Sequence, residues 1–316
     1  MSGWEHSSTK QYERVPRGSF GVATYKDTVS ACIANCKCAV ISTHNEVVAL
    51  AVTSFLFGLP QTDTIKEHIT GEKMYKLEMH LHTIGRSPCA KVDERTIAKA
   101  YAAEHYDGIV ITNHFNRYLC DEYYKKGSPS DNVLFWLEAY YTLKRECAVY
   151  GIDVFLGMEL LLDELTYYKP NPPHAETLVY GIEEKWLLAH PYDLFALTLP
   201  QLHDLCAEKG WLLSQAHPFR DGITALDPKY LEGAEIHNGH PRQPNHNDLA
   251  HEFVLSNGLL PTAGSDYHEE GFEGSGVYLQ NAVKTNAELL AELRKRTHQP
   301  FGKDGLVDMT TPDKKN

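Results

Sequence analysis

The sequence predicts an α/β fold with a parallel β-sheet that is either open or closed into a barrel. Apolar strand-like runs alternate with helix-like runs from Met74 onward, and histidines or acids follow five of those strand-like runs. The 316 residues are enough for one large domain with an appendage. Functional groups collect at the carboxyl ends of the strands in such folds, so we expect these side chains to meet at one edge of the sheet.

The first strand begins near Met74 and ends in the pair His80 and His82. Side chains two positions apart on a strand point the same way, so both imidazoles converge while Leu81 turns into the wall behind them. Neutral imidazoles are good ligands for Zn, Mn or Fe. A single His-x-His pair is a weak signal, and the recurrence of similar groups after later strands is what favours a metal centre.

Further elements follow in order along the chain. The predicted strands are 108–112, 152–156, 177–181, 211–215, 235–237 and 259–263. The predicted helices are 93–104, 131–149, 199–208, 248–255 and 286–296. Asp93 is a predicted helix cap, and the second helix is expected to direct Leu134, Leu137, Tyr141 and Ala148 toward the core.

Metal-ligand residue types follow these strands. The residues are His80, His82, His114, Glu159, His217, Asp266 and His268. Each residue alone is also compatible with a hydrogen-bonded loop histidine or a surface acid. Five strand ends with the same chemistry favour a shared metal centre.

Composition and charge exclude some classes of function. A formal net charge of −12 argues against binding along long nucleic acid, which needs a basic face. An anionic substrate remains compatible, because bound divalent metals would invert the local field. Seven cysteines at irregular spacing without a secretory signal predict reduced thiols in a cytoplasmic protein. The most apolar stretch, 47–59, is too short to cross a bilayer, so no membrane anchor is expected.

Residues 1–73 differ from the rest and are predicted to be an N-terminal extension of unknown role. Cys32, Cys36 and Cys38 cluster there, but a zinc site would need a fourth ligand such as His44.

One hypothesis is that the natural protein starts at Met74, with the preceding residues being translated upstream sequence. Gly71-Glu72-Lys73 can be encoded by a purine-rich run of the kind that recruits bacterial ribosomes. The alternative is a small added lobe. The main domain is predicted to cover 74–302, with a disordered tail at 303–316.

Five ordered motifs carry a family resemblance. The motifs are LEMHLHT at 77–83, GIVITNH at 108–114, GME at 157–159, AHP at 216–218 and GSDYH at 264–268. In this order they resemble the PHP (polymerase and histidinol phosphatase) family over about residues 74–276. The resemblance implies a distorted (β/α)7 barrel, a cluster of two or three divalent metal ions (Zn, Mn or Fe) and hydrolysis of phosphoesters.

The resemblance also assigns ligands by position. The implied metal ligands are His80, His82, His114, Glu159, Glu183, His217, Asp266 and His268. The first metal would use the His-x-His pair, Glu159 and Asp266. Glu159 would bridge to a second metal with His217 and Glu183, and His114 with His268 would hold a third.

Two positions depart from the family pattern. Asn113 stands where the family has an aspartate, so the imidazole that follows it keeps its place but loses a neighbouring charge. The acid or histidine expected shortly after the first motif is missing from 85–89. Cys89 in that segment could be a soft ligand, but a free buried thiol is the preferred interpretation, which leaves the third metal site open.

The predicted function is hydrolysis of a phosphate ester by a metal-activated hydroxide. The substrate classes are a small phosphorylated metabolite, a nucleotide or a short oligonucleotide end, and the acidic balance favours a small one. Arg220, then Arg117, is the candidate to grip phosphate. The leaving group is expected to take its proton from a metal-bound water or from a histidine such as His237, which lies with His240 on a strand-end loop expected to face the substrate. The oligomeric state has no sequence signal.

Other functions remain open. A metal-dependent amidohydrolase also begins with His-x-His and ends with an aspartate, although such barrels often place a lysine where this chain has Glu159. A metal-binding module without catalytic activity is compatible with the substitution at Asn113. A polymerase accessory domain fits poorly, because no polymerase segments accompany these motifs.

Overall fold

The computed structural model describes residues 38–43, 46–51, 73–166 and 173–310. The chain divides into two compact units, Met1–Pro60 and Gln61–Asn316. In the first unit, β1 (Cys38–Thr43) pairs antiparallel with β2 (Glu46–Ala51). Of the residues considered for a zinc site in this unit, Cys32, Cys36 and His44 lie outside the described residues.

The second unit is a mixed α/β domain around one curled sheet. Its strands are β3 (Tyr75–Glu78), β4 (Gly108–Ile111), β5 (His114–Phe115), β6 (Asp153–Leu160), β7 (Thr177–Tyr180), β8 (Leu212–Gln215), β9 (Gly233–Asn238), β10 (Leu260–Gly264), β11 (Gly276–Leu279), β12 (Gln299–Gly302) and β13 (Gly305–Leu306). The order across the sheet is β10-β9-β8-β7-β6-β4-β3-β11-β12-β13, and β5 pairs with β6. The predicted α/β class is confirmed at this level.

The α-helices of the described residues agree closely with the sequence expectation, except for one short helix at Glu184–Ala189 that has no predicted counterpart. They are α1 (Glu94–Ala103), α2 (Pro129–Ala148), α3 (Glu184–Ala189), α4 (Leu199–Lys209), α5 (Asn247–Ser256) and α6 (Asn286–Arg294). Asp93 caps α1 as predicted, because its side chain accepts a hydrogen bond from Thr96 N. No helix in this part of the chain is long and apolar enough to cross a membrane.

Strand direction is mixed, which differs from the predicted parallel sheet. The series β3, β4, β6 and the series β8, β9, β10 are each parallel. Strand β7 is antiparallel to both of its neighbours, β6 and β8. A parallel pair needs a long crossover connection, usually a helix, and the described residues between β6 and β7 contain none. The sheet therefore reverses direction at β7.

The two ends of the series from β3 to β10 approach each other. Leu81 and Tyr267 form a parallel bridge just beyond these strands. His82 N donates to Tyr267 O over 3.1 Å, and Tyr267 N donates to His80 O over 3.2 Å. A Cβ atom at Gly264 would lie 2.4 Å from the Cβ of His80, so only glycine permits this approach. The bridge brings the residues that follow β3 and β10 into one space.

Helix α2 buries a different face from the predicted one. Leu134 is 45% exposed and Tyr141 is 40% exposed, and Ala148 is also exposed, whereas Leu137 is buried as expected. The buried residues of the helix are Asn132, Val133, Trp136, Leu137, Ala139, Tyr140, Leu143 and Cys147. Apolar residues lie on both sides of this helix, so its periodicity alone does not select the face. Trp136 decides it, because its indole Nε1 donates to His114 O over 3.1 Å.

Replacing the buried leucine of α2 by alanine should destabilise the domain far more than replacing its exposed neighbour. We expect Leu137→Ala to lower the free energy of unfolding by about 2–5 kcal/mol, because a buried side chain is lost and a cavity remains. Leu134→Ala is the matched control, with an expected change within about 0.5 kcal/mol. Urea unfolding followed by circular dichroism measures both, and equal losses would contradict the observed face.

The predicted disordered tail is ordered over its first part. Strand β13 (Gly305–Leu306), which lies within 303–316, pairs antiparallel with β12. Gln299 Nε2 donates to Val307 O over 2.7 Å, and Val307 and Met309 pack against the core. These apolar contacts fix the segment after the turn. Residues 311–316 lie outside the described residues.

Candidate metal centre

Seven of the eight predicted ligands meet at one edge of the sheet. Their order along the chain is His80 and His82 after β3, His114 at the start of β5, Glu159 in β6, His217 after β8, and Asp266 and His268 after β10. The groups whose ligand atoms all lie within 4.8 Å of one another are His82–His114–His268, His80–His82–Glu159, His80–His217–Asp266 and His114–Glu159–Glu176. The eighth residue, Glu183, lies elsewhere.

The tightest part of the cluster joins the His-x-His pair to two acids. His80 Nε2 and His82 Nε2 face each other at 3.1 Å. Asp266 Oδ1 lies 3.4 Å from the first nitrogen and 3.2 Å from the second. Glu159 Oε1 lies 3.4 Å from His80 Nε2, and its Oε2 lies 3.4 Å from His82 Nε2. Two nitrogens and two carboxylates therefore surround one point.

The far nitrogen of each imidazole is held by a partner outside the cluster. His80 Nδ1 is 2.9 Å from Glu235 Oε1, and His82 Nδ1 is 2.9 Å from Ser87 Oγ. With each Nδ1–H donating outward, Nε2 is the nitrogen of each ring that can present a lone pair to a metal ion, as in metal-binding histidines. Glu235 also accepts from His217 N over 2.8 Å. Glu235 lies in a predicted strand, but no sequence motif assigns it a role in the site.

Glu159 lies at the middle of the cluster. Its Oε1 is 3.1 Å from His217 Nε2, and its Oε2 is 2.6 Å from His114 Nδ1. Glu176 approaches the same two imidazoles, at 3.6 Å from His217 Nε2 and 3.7 Å from His114 Nδ1. The two carboxylates thus share two histidines, beside the pair at His80 and His82.

The direction of β7 explains why Glu176 and not Glu183 reaches the cluster. Glu159 pairs with Leu178 in the antiparallel register, so the start of β7 lies at the ligand edge. Glu176 immediately precedes this strand. Glu183 follows it as the residue before α3, and lines a separate cavity with Trp211 and Leu290. The prediction of Glu183 depends on a parallel β7, in which the residues after the strand would lie at the ligand edge.

The two glutamates that flank β7 offer a matched pair of variants. We expect Glu176→Gln to weaken metal binding by roughly 10- to 100-fold or more, because an amide is a poorer ligand than a carboxylate. Glu183→Gln should leave metal content unchanged, because its side chain lies at the other edge of the sheet. Titration of the metal-free protein with Mn²⁺ and Zn²⁺ by calorimetry measures both. The reverse ranking would contradict the assignment.

Burial and charge set the electrostatics of the cluster. Burial alone would raise the pKa of Glu159, but the imidazoles of His114 and His80 hold that pKa well below its usual range. Burial likewise opposes ionisation of Asp266, and His80 again lowers the pKa of that carboxyl. Burial lowers the pKa of His80, but Glu235, Asp266 and Glu159 raise it well above its usual value. These buried acids require compensating positive charge, which either protons or metal cations can provide.

The donor set fits divalent metal ions. Glu159 Oε2 is buried and makes no hydrogen bond with the described residues, although His114 Nδ1 is 2.6 Å away. A buried carboxylate oxygen without a hydrogen-bond donor destabilises the folded state unless a cation binds to it. Imidazole and carboxylate donors in this combination suit Zn, Mn or Fe.

Two of these residues have unusual backbone conformations. His217 has φ 27° and Asp266 has φ 50°, both in the left-handed region that non-glycine residues seldom adopt. Such conformations cost about 1–3 kcal/mol each and persist where the surroundings impose them. Arg220 contributes at Asp266, where its Nη2 donates to Oδ2 over 2.5 Å.

The two arginines predicted to bind phosphate, Arg220 and Arg117, have different surroundings. Arg220 lines the cavity beside the cluster, as expected of a phosphate ligand. Arg117 instead pairs with Asp163 at 2.8 Å, partly exposed.

His237 does not reach the cluster. The register of β9 against β10 shifts between Glu235 and His237, so Glu235 and Asn238 turn to the site. A Cβ atom at Gly302 would lie 2.3 Å from His237 Nε2, which places this imidazole against β12. The predicted catalytic role of His237 is therefore not supported, whereas His240 lines the cavity.

The cavity beside the cluster has a volume of about 400 Å³. Glu159, Glu176 and Asp266 form part of its wall. The cationic residues around it are Lys91, Arg220 and Arg242. Lys91 and Arg242 both pair with Glu269. The cavity is thus lined by acidic and histidine side chains of the cluster together with cationic side chains.

Comparison with known proteins gives a fold likeness. No family model and no curated protein matches the sequence. A two-domain protein from Bacteroides vulgatus that contains a predicted PHP-like metal-dependent phosphoesterase is 14% identical, with a TM-score of 0.50 over 76% of this chain and 68% of that chain. At this identity the likeness concerns the fold alone.

Two weaker likenesses accompany it. A protein from Bifidobacterium adolescentis provisionally named a metal-dependent phosphoesterase is 12% identical, with a TM-score of 0.40 over 62% of this chain and 89% of that chain. An amidohydrolase from Chromobacterium violaceum with bound sulfate and no metal is 12% identical, with a TM-score of 0.41 over 62% of this chain and 88% of that chain.

Proposed function

We propose that this chain, which has the fold of a PHP-like metal-dependent phosphoesterase, hydrolyses the phosphate ester of a small metabolite, a nucleotide or an oligonucleotide end. The observation that carries the proposal is a cavity lined both by cationic side chains, of which Arg220 is the most buried, and by residues of the metal-ligand cluster. A phosphate needs both: cations for its oxygens and an activated water for its phosphorus atom.

The chain offers ligands for two or three divalent ions. The first set is His80, His82, Glu159 and Asp266. The second is Glu159, Glu176 and His217, with Glu159 common to both. The third centres on His114 and His268 beside His82. Bound divalent ions would supply a hydroxide nucleophile at neutral pH and neutralise charge on the phosphoryl group.

Arg220 is the residue that we assign to phosphate binding. Its Nε donates to Asn245 Oδ1 over 2.8 Å and its Nη2 donates to Asn238 Oδ1 over 3.0 Å, which fixes the plane of the guanidinium. A planar, immobilised guanidinium matches phosphate geometry without loss of further side-chain freedom. Its bond to Asp266 gives it a second task, which is to orient that carboxylate.

His240 and Phe272 define another side of the cavity. Their rings meet edge to face at 5.1 Å, and His240 also lies 5.4 Å from the ring of His268. Burial lowers the pKa of His240 to about 4, even though Asp266 acts in the opposite direction. At neutral pH this residue therefore presents an uncharged imidazole that can orient a leaving-group oxygen by a hydrogen bond.

The first test is metal analysis of the purified protein together with hydrolysis of an aryl phosphate, with and without added Mn²⁺ or Zn²⁺. The proposal expects bound metal and metal-dependent turnover, and a phosphorylated-metabolite screen would then identify the substrate. Bound metal with hydrolysis of amides but not phosphate esters would replace the proposal with an amidohydrolase. Bound metal without any turnover would reduce the protein to a binding module.

Removal of the Arg220 guanidinium should weaken catalysis more than it weakens folding. We expect Arg220→Ala to lower kcat/KM for the aryl phosphate by roughly 10- to 100-fold, which corresponds to one or two charge-assisted hydrogen bonds. Arg220→Lys should recover little of this loss, because an ammonium cannot reproduce the fork. Arg117→Ala is the control and should retain wild-type kinetics, since this arginine pairs with Asp163. Unchanged kinetics in Arg220→Ala would remove this residue from the site.

A further inference from the structure

We propose that the Cys89 thiolate is a ligand of the third metal, together with His114 and His268, and that this position consequently selects a thiophilic ion such as Zn²⁺ over Mn²⁺. The inference rests on the proposed function and deepens it, because it names the chemistry of one position in the same centre. A thiolate ligand here departs from the resemblance, which leads one to expect an acid or a histidine in this segment.

The thiol of Cys89 lies beside the histidine cluster. Cys89 Sγ lies 3.0 Å from His268 Nε2. The imidazoles of His82, His114 and His268 form one group whose nitrogens lie within 4.8 Å of one another. The ring of His82 lies 4.5 Å from that of His114 and 4.4 Å from that of His268. Cys89 therefore stands at the rim of a three-histidine cluster and lines the same cavity.

The ring of His268 is oriented with its Nε2 toward the thiol. Its Nδ1–H donates to the backbone carbonyl of Asp266 over 2.8 Å. The lone pair of Nε2 therefore faces the sulfur of Cys89, and in the metal-free protein the thiol proton lies between the two atoms. A metal ion that binds there replaces this proton, which is released to solvent, and gains one nitrogen and one sulfur donor.

The segment that carries Cys89 is fastened to both histidine-bearing segments. Ser87 Oγ accepts from His114 N over 3.1 Å and donates to Asn113 Oδ1 over 3.0 Å. On the other side, Lys91 N donates to His268 O over 2.9 Å. The asparagine at position 113, which departs from the family pattern, thus helps to hold this loop. Cys89 is exposed rather than buried as the sequence suggests, but these bonds give its loop a defined position beside His268.

Other described cysteines have a different environment. Cys120, Cys147 and Cys206 are buried in the apolar core, where their sulfurs pack as small hydrophobic groups. Cys89 alone among them lies beside imidazoles. Thiolates prefer Zn²⁺, whereas oxygen-rich sites accept Mn²⁺, so a thiolate at this position changes which ion is retained.

Cobalt provides a readout that is independent of hydrolysis. Co²⁺ bound to a thiolate gives an intense sulfur-to-metal charge-transfer band in the near ultraviolet, which imidazole and carboxylate ligands do not produce. The experiment uses the full chain with Cys32, Cys36 and Cys38 replaced by serine, because these thiols could otherwise contribute a band of their own. The metal-free protein is titrated with Co²⁺, and the bound metal is counted by mass spectrometry.

The proposal expects a charge-transfer band in this parent protein, loss of the band in Cys89→Ser, and its retention in Cys206→Ala. Zinc retained after dialysis should fall by one equivalent in Cys89→Ser, whereas Cys89→Asp should keep the third ion without the band and accept Mn²⁺. A cobalt-loaded parent without the band, or a band that survives Cys89→Ser, would overturn the proposal. A band without any phosphoesterase activity would reject the proposed function and leave the Cys89 ligand standing.

Discussion

Glu159→Gln should abolish hydrolysis and empty two metal positions at once. Glu159 places its oxygens within 3.4 Å of the nitrogens of His80, His82, His114 and His217, so it approaches more imidazoles than any other acid of the cluster. The amide keeps the shape of the side chain but loses the charge and one acceptor. We expect a loss in kcat of roughly 1,000-fold or more, equivalent to ~4 kcal/mol of transition-state stabilisation.

Metal counting and aryl phosphate turnover measure the effect of Glu159→Gln together. Glu138→Gln is a suitable control, because Glu138 is an exposed glutamate of α2 that pairs with Arg86. Restored activity at high Mn²⁺ would mean that the residue only tightens metal binding. Wild-type turnover and full metal content in the variant would contradict the central position of this carboxylate.

Glu78→Ala should cause the largest loss of stability of the variants considered. Glu78 Oε1 accepts from His80 N over 2.8 Å and from Ser265 N over 2.9 Å. Its Oε2 accepts from Ser265 Oγ over 2.6 Å and from Tyr101 OH over 2.8 Å. Alanine would leave these four buried donors without their acceptor, and we expect a loss of about 3–5 kcal/mol in the free energy of unfolding.

Glu78→Gln separates the hydrogen bonds from the charge. Burial raises the pKa of Glu78 to about 7, although the bonds from Ser265, His80 N and Tyr101 act against this shift. Glutamine keeps one oxygen for the two backbone N–H groups, and its amide can donate to hydroxyls that rotate to accept. We therefore expect Glu78→Gln to cost far less than Glu78→Ala. Thermal unfolding in the presence of a chelator tests this without interference from metal binding, and equal losses would contradict the argument.

Much of the fold and site follows from local sequence patterns. Asp93 caps its helix and the ligand residues follow their strands because both features depend on neighbouring residues. The period-two alternation placed His80 and His82 on one side, and the structure brings their Nε2 atoms to 3.1 Å. Five such strand ends were enough to predict that the corresponding side chains would meet.

The features that sequence patterns missed depend on long-range pairing. The direction of β7 reverses which flank reaches the site, so Glu176 replaced Glu183, and a four-residue strand has no direction in its own sequence. A shift of register after Glu235 turned His237 away from the cluster. An acid such as Glu235, which acts through other side chains, carries no motif. The signal that could have found Glu176 is its position immediately before a strand whose connection is too polar and proline-rich for a crossover helix.

The bridge between Leu81 and Tyr267 has a consequence for the order of folding. The nearby bond between Glu78 and Ser265 spans 187 positions, so closure of the sheet is among the slowest and most entropically costly contacts to form. The four ligand residues His80, His82, Asp266 and His268 flank this bridge, so their relative positions depend on its formation. During synthesis, the His-x-His pair emerges long before its partner aspartate exists. Capture of the ion that uses His80, His82 and Asp266 should therefore be a late event that follows closure of the sheet, and a nascent chain that ends before β10 should be unable to retain that ion.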